Sequence, residues 1–178
     1  MGWQQAIERY ALLKSNDRII VGVSGGPDSM ALVHLLKQST ERYGCFLAVV
    51  HVNHLLRGEQ AKREADFVAD WCAKQGLPCV VEQRDVKALA KDKGLSIEAA
   101  GHQARFQVYR EAAIRFDANK LALGHHQDDR AETVLLHLIQ GTGINGLAAL
   151  APADGWIIRP LIEATKEELL AYCEEEGL

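Results

Sequence analysis

The chain of 178 residues is long enough for one globular domain of ordinary size. Its composition, 48% hydrophobic and 25% charged, excludes a largely disordered protein. The net charge of −4 argues against a self-sufficient nucleic-acid binder, and no apolar run is long enough to span a bilayer. Because the first residues carry no secretory signal, we expect a cytoplasmic location.

Short β-branched runs alternate with longer amphipathic stretches along the chain. We expect strands over residues 19–24, 46–52, 79–82, 120–125 and 156–160. We expect helices over residues 28–38, 60–75, 86–92, 96–116, 128–140 and 166–176, with Ser96 as the cap of the longest. This alternation predicts an α/β fold, doubly wound, with a mainly parallel five-stranded sheet and helices on both faces. Ligands of such sheets bind beyond the carboxyl ends of the strands, so the residues after each strand are the candidates for a site.

A glycine-rich turn, Ser24-Gly25-Gly26-Pro27-Asp28-Ser29, follows the first predicted strand and leads into a helix. The glycines allow the backbone to approach a ligand closely, and the helix start offers free N–H groups to a phosphate or pyrophosphate. Asp28 is unexpected in a pure anion site and suggests a ligand for Mg²⁺ beside the phosphates. The alternative is a plain turn in which Asp28 caps the helix.

The loop after the second predicted strand is rich in polar side chains. It contains His51, Asn53, His54 and Arg57, which are costly in a core but natural in a binding site. Arg57 is a candidate contact for a phosphate. The alternative is a solvated loop without a function of its own.

Carboxylates cluster after the fourth predicted strand. Asp129 and Glu132 are three residues apart, and Asp128 and Glu132 are four apart, so these side chains share a helix face. Like charges in one place favour a bound cation, either a metal or the ammonium group of a substrate. The spacing differs from the HExxH pattern of zinc proteases. The alternative is that Asp128 or Asp129 merely caps the helix.

The longest predicted helix carries Glu98, His102, Arg105 and Arg110, which lie near the ligand edge of the sheet if the helix starts there. A solvated charged face is the alternative for this helix. The four cysteines are scattered and form no CxxC pair, so we expect neither a disulfide framework nor a zinc site.

Taken together, these segments resemble the PP-loop ATP-pyrophosphatase superfamily of adenine nucleotide alpha hydrolase-like folds, and within it the tRNA(Ile)-lysidine synthetases. The resemblance covers roughly residues 18–162. It rests on five motifs, namely SGGxDS at 24–29, HxNHxLR at 51–57, EAAxxxAR at 98–105, GHHxDDxAET at 124–133 and Arg159-Pro160-Leu161.

The resemblance implies an ATP-dependent ligase that forms a C–N bond and acts on an isoleucine tRNA with a CAU anticodon. Such enzymes adenylate C2 of the wobble cytidine, and the amine of free lysine then displaces AMP to give lysidine. ATP and Mg²⁺ are the implied cofactors, and isoleucine tRNA and free lysine are the implied partners. No membrane is implied.

The resemblance also implies how the nucleotide is held. Val23, His51 and Asn53 would line the nucleotide pocket, and Asp28 would lie beside Mg²⁺. The ATP phosphates would contact Ser24, Gly25, Gly26, Pro27, Asp28 and Ser29.

Further roles are implied for the groups around the reacting atoms. Asp129 and Glu132 would hold the ammonium groups of lysine, in agreement with the cation that their spacing favours. Arg57 would contact substrate, and Arg105 would lie near the nucleotide or the developing charge. The implied catalytic set is Asp28, Arg105, His126, Asp128, Asp129 and Glu132.

The chain departs from the family pattern at two places. Arg130 stands where an uncharged side chain is expected, and the glycine-rich segment 141–147 has Thr142 where a basic residue could grip RNA. We expect residues 1–162 to form the ATP-binding catalytic domain and residues 163–178 to begin a following helical segment of a truncated chain. The basic surface that binds tRNA would then lie mostly elsewhere.

Two other functions fit part of the pattern. Another PP-loop tRNA-modifying enzyme, such as a 2-thiolase, would need paired cysteines or an Fe–S site to carry sulfur. A non-catalytic adenine-nucleotide-binding module would not need the carboxylates at 128, 129 and 132.

Overall fold

The computed structural model describes residues 2–139 and 150–178. The helices are α1 (Gly2–Arg9), α2 (Pro27–Tyr43), α3 (Glu59–Gln75), α4 (Val86–Lys93), α5 (Ile97–Phe116), α6 (Gln127–Ile139) and α7 (Lys166–Glu176). The strands are β1 (Arg18–Gly22), β2 (Phe46–Asn53), β3 (Cys79–Gln83), β4 (Lys120–Ala122), β5 (Ala153–Asp154) and β6 (Ile157–Ile158). The predicted glycine-rich segment 141–147 lies outside the described residues.

The strands form one sheet in the order β3-β2-β1-β4-β6-β5. All neighbouring pairs are parallel except β5 and β6, which run antiparallel. The predicted α/β fold with a mainly parallel sheet is therefore confirmed, although the sheet has six strands in the described part of the chain rather than five. The additional strand, β5, has only two exposed residues, and two residues are too few to show a hydrophobic period.

Helices cover both faces of the sheet. Each strand contributes side chains to both cores, because successive residues of a strand point to opposite sides. On β1, Ile19 and Val21 pack into the core beneath α2, whereas Ile20 packs into the core beneath α5. On β2, Val49 and Val50 divide in the same way. The doubly wound arrangement leaves the carboxyl ends of the strands free at one edge.

Two terminal helices pack on the α2 side of the sheet. Helix α1, which is not predicted from the sequence, buries Trp3, Ala6 and Ile7. The predicted last helix is confirmed as α7, and its residues Leu169 and Tyr172 join the same core. The predicted domain boundary after residue 162 stays a prediction.

Helix caps follow the local sequence. Ser96 accepts a hydrogen bond from the backbone N–H of Ala99 and caps α5, as predicted. Thr165 and Glu168 form a reciprocal capping box at the start of α7. Among the helices of the described residues, none combines the length and the apolar character that a bilayer crossing requires.

Candidate functional site

A cavity of about 700 Å³ opens where β1, β2 and β4 end. β1 lies between β2 and β4, and α2, which follows β1, covers one face of the sheet while α5, which precedes β4, covers the other, as expected for a ligand site in such a fold. The cavity joins the loops after three strands to one face of α5, which contributes His102, Arg105, Phe106 and Tyr109.

The structure brings most of the predicted site residues together at the cavity. Those that line it are Ser24, Asp28, Ser29, His51, Asn53, Arg57, Arg105 and Asp129. The predicted residues outside its lining are Gly25, Gly26, Pro27, His126, Asp128 and Glu132. Glu132 is exposed on α6, as is its neighbour Arg130. The functional roles of all these residues stay predictions.

The turn after β1 is held by its own hydrogen bonds. Ser29 Oγ accepts from the Ser24 N–H at 3.1 Å and donates to the Gly26 carbonyl at 2.8 Å. Gly25 has φ of 92°, a conformation that favours glycine. Gly26 is the N-cap of α2 and Pro27 follows it, so the alternative in which Asp28 caps the helix is wrong. The first turn of α2 therefore presents its N–H groups at the cavity edge.

The carboxylate of Asp28 is paired with a cation from a distant part of the chain. Lys166 Nζ lies 2.5 Å from Asp28 Oδ1 and 2.6 Å from Oδ2. Lys166 is not among the site residues expected from the sequence. One signal was available, because a lysine in the first turn of α7 opposes the helix dipole unless an anion lies nearby.

His126 links Asp28 to the carboxylates of α6. Its side chain is buried, and its Nε2 lies 3.8 Å from Asp28 Oδ2 and 3.5 Å from Asp129 Oδ2. Asp129 accepts the backbone N–H of His126 at 2.8 Å, and Asp128 accepts the backbone N–H of Lys166 at 2.9 Å. Both aspartates thus bind backbone amides at helix starts, in part as the capping alternative predicts, while Asp129 also faces the cavity.

His51 lines the cavity, and one of its ring nitrogens is buried without a hydrogen-bond partner among the described residues. It is 3% exposed, and its Nδ1 donates to the Val23 carbonyl at 2.9 Å, since a carbonyl can only accept. Burial lowers the pKa of His51, so the ring is neutral at pH 7 and Nε2 is an acceptor. Among the described residues, Nε2 has no hydrogen-bond partner. A buried acceptor of this kind suits an amino donor on a ligand.

Asn53 shapes the loop after β2. Its Oδ1 accepts the Leu55 N–H at 2.9 Å, and Leu55 adopts a positive φ of 56°. Arg57 lies beyond this turn, 69% exposed at its side chain and 3.9 Å from Glu64. Asn53 therefore contributes to the shape of the cavity, and Arg57 stays free to reorient toward a ligand.

Arginines supply positive charge around the cavity. Arg105 Nη2 lies 3.5 Å from His54 Nε2, and burial followed by the charge of Arg105 lowers the pKa of His54. Arg159 is buried at 8% exposure and donates from Nε to His125 Nδ1 at 3.3 Å. Burial, then the charge of Arg159, lowers the pKa of His125. Arg159 is not among the predicted site residues, although it lines the cavity and belongs to the Arg159-Pro160-Leu161 motif.

A close contact explains why the last residue of β1 is glycine. A Cβ on Gly22 would lie 2.3 Å from the Tyr109 Oη and 2.7 Å from its Cζ. Tyr109 is buried on α5, and burial raises its pKa to about 12. The phenol therefore stays protonated beside the end of β1.

The chain is similar to known proteins over nearly its whole length. The PP-loop domain family matches residues 3–178 of the chain. The tRNA(Ile)-lysidine synthase of Clostridium acetobutylicum is 40% identical over 173 residues, which are 97% of this chain and 38% of that protein. The corresponding enzyme of Bacillus subtilis is 42% identical over 176 residues, 97% of this chain and 37% of that protein.

A solved structure shares the fold. The U34-tRNA thiolase NcsA from Methanococcus maripaludis, solved with its [4Fe-4S] cluster, superposes with a TM-score of 0.80 at 22% identity. The match covers 99% of this chain and 64% of that chain. The chain spans less than two fifths of the length of the curated relatives described above. On the match to residues 3–178, the chain belongs to the PP-loop domain family.

Proposed function

We propose that this chain is the ATP-binding catalytic part of a cytoplasmic tRNA(Ile)-lysidine synthase. The observation that carries the proposal is one cavity that joins the start of α2, with Asp28, to Asp129 and Arg105. The similarity to enzymes of that name supports it. In the proposed reaction, the C2 oxygen of the wobble cytidine attacks the α-phosphate of ATP and pyrophosphate leaves. The amine of lysine then bonds to C2, AMP leaves, and the amine loses a proton.

The turn after β1 and the strand beside it account for ATP binding. Ser24 and the N–H groups of the first turn of α2 donate hydrogen bonds to the phosphates, and Ser29 holds the turn in place beside them through its bond to the Gly26 carbonyl. The neutral ring of His51 leaves Nε2 as a buried acceptor, which complements the 6-amino group of adenine. Guanine has a carbonyl at that position, so the same acceptor disfavours GTP.

Asp28 is the proposed ligand for Mg²⁺. Magnesium is usually held by one or two carboxylates together with substrate phosphates. Asp28 fits this requirement because it lies at the start of α2, lines the cavity and already binds a cation, the ammonium of Lys166. When bound, Mg²⁺ would neutralise charge on the departing pyrophosphate.

Asp129 is the proposed anchor for the lysine substrate, with Glu132 one turn further along α6. Asp129 lines the cavity and accepts the backbone N–H of His126, whose Nε2 lies between Asp129 and Asp28, while Asp128 lies at Nδ1 of the same ring. A carboxylate pairs with one ammonium group of lysine and leaves the other amine to lose its proton and attack. Arg105 and Arg57 supply positive charge for the nucleotide and the tRNA.

The two alternatives fit the cavity less well. Sulfur transfer by a thiolase would require cysteines at the cavity. In the described part of the chain, none of the four cysteines lines it. A module that only binds nucleotide has no use for Asp129 at the cavity.

We also propose that residues 1–162 form the catalytic domain and that residues 163–178 begin a following segment.

Transfer of labelled lysine tests the proposal. The protein that carries this chain, at its full genomic length, is incubated with Mg²⁺-ATP, labelled lysine and an isoleucine tRNA transcript with a CAU anticodon. The control transcript has U in place of the wobble C. We expect label on the first RNA alone. ATP binding without any label on RNA would contradict the proposal and favour another PP-loop activity or a binding module.

A further inference from the structure

The ammonium of Lys166 binds the same carboxylate that a metal ion on Asp28 would need. Its ammonium contacts both carboxylate oxygens, at 2.5 and 2.6 Å. An ammonium and a divalent cation repel each other at such distances, so both cannot share one carboxylate without cost. We propose that Lys166 is a built-in competitor of Mg²⁺ for Asp28, which must leave this carboxylate when Mg²⁺ and nucleotide bind.

The backbone of Lys166 is fixed although its ammonium is free to leave. Its N–H donates to Asp128, and it lies directly after Thr165 of the capping box. The helix that carries it packs on α2, where Cys173 Sγ donates to the Pro27 carbonyl at 3.4 Å. These contacts keep the start of α7 beside the start of α2 and therefore hold the Lys166 side chain within reach of Asp28.

The ion pair is built to be reversible. The side chains of Lys166 and Asp28 are 39% and 27% exposed, so the ammonium can move into water without becoming a buried unpaired charge. Partly exposed ion pairs of this kind contribute little free energy. A metal ion that binds phosphate oxygens as well as Asp28 can therefore displace the ammonium.

The surrounding charge explains why a lysine is present at all. Asp128 and Asp129 approach His126 to 3.5 Å, and His126 is 3.8 Å from Asp28, so three carboxylates gather at one place. Lys166 offsets this negative charge before any ligand arrives. Its removal leaves Asp28 without its ammonium partner, which strengthens the attraction for a divalent cation.

The inference rests on the proposed role of Asp28, and Mg²⁺-dependent nucleotide binding tests both. Affinity for α,β-methylene-ATP is measured by calorimetry on this chain at stepped Mg²⁺ concentrations. For Lys166→Met we expect the half-saturating Mg²⁺ concentration to fall about two- to fivefold, the range expected for loss of a partly exposed ion pair. Lys166→Gln should give the same shift, and Lys166→Arg should stay near the unaltered protein because it keeps the charge.

Two control variants separate the possible failures. Lys87→Met removes an exposed lysine from the first turn of α4, outside the cavity lining, and should change nothing. Asp28→Asn should abolish the response to Mg²⁺. If the unaltered protein shows no response, or Asp28→Asn keeps it, the role of Asp28 fails and the inference falls with it. If both behave as expected but Lys166→Met and Lys166→Gln leave the half-saturating concentration unchanged or raise it, the inference about Lys166 alone is overturned.

Discussion

Two regions meet at the cavity, and they are built in different ways. The turn of residues 24–29 is continuous in sequence and makes its hydrogen bonds within six residues. The junction of α6 and α7 joins Asp28, His126, Asp128 and Lys166, which are separated by up to 138 residues. The turn is recognisable from its residues alone, whereas the junction exists only after the chain has folded. Different substitutions should therefore impair the two regions.

Asp28 belongs to both regions, and its removal should have the largest effect. For Asp28→Asn we expect the rate of lysine transfer to fall at least about 100-fold, because metal-assisted charge stabilisation is worth several kcal/mol. Single-turnover kinetics at saturating substrates measure this loss. Asp66→Asn, an exposed substitution on α3, should leave the rate unchanged. A loss of less than tenfold for Asp28→Asn would contradict the role of this carboxylate.

Asp129, which contacts His126 at the junction of α6 and α7, tests that region without altering the turn. Asp129→Asn keeps an oxygen that can accept the His126 N–H but removes the charge that would hold lysine. We expect KM for lysine to rise about 10- to 100-fold, the range for a hydrogen bond to a charged group, while KM for ATP stays within about twofold. Glu132→Gln should raise KM for lysine only about two- to fivefold, because Glu132 is exposed. Equal effects on lysine and ATP would show that Asp129 has a structural role instead.

Gly22, at the end of β1 just before the turn, tests how the packing under the turn contributes to the stability of the fold. For Gly22→Ala we expect the free energy of unfolding to fall by about 1–3 kcal/mol, because the new Cβ would overlap the buried Tyr109 ring. Gly101→Ala is the matched control in α5, where a Cβ would make an ordinary contact with Val86 at 3.8 Å. It should raise stability by up to about 1 kcal/mol, since alanine favours a helix more than glycine does. Urea denaturation measures both, and equal signs would refute the explanation of Gly22.

The same contrast explains what could be predicted from the sequence. Strand and helix alternation, the Ser96 cap and the turn at 24–29 are encoded by neighbouring residues, and the fold follows from them. Lys166 reaches Asp28 only through the packing of α7, and Arg159 reaches the cavity only through the pairing of β4 with β6. No local pattern specifies those distances. The two-residue strand β5 is missed for a related reason, since its neighbours in the sheet define it rather than its own side chains.

Three histidines, the buried His51 and the half-buried His54 and His125, give the smallest expected effect, which depends on pH. Burial lowers the pKa of each below the ordinary value of 6.5, so the unfolded chain binds protons at a higher pH than the folded chain. The stability is therefore complete above about pH 6.5 and falls as the pH drops toward the folded pKa values. Between pH 7.5 and 5.5, above the range in which most carboxylates titrate, the free energy of unfolding should decrease. His51→Gln should flatten that decrease by at most about 1.4 kcal/mol per pH unit, the limit for one proton. An unchanged slope in urea denaturation would show that the ring of His51 is solvated, and its Nε2 would then not be the buried acceptor that complements adenine.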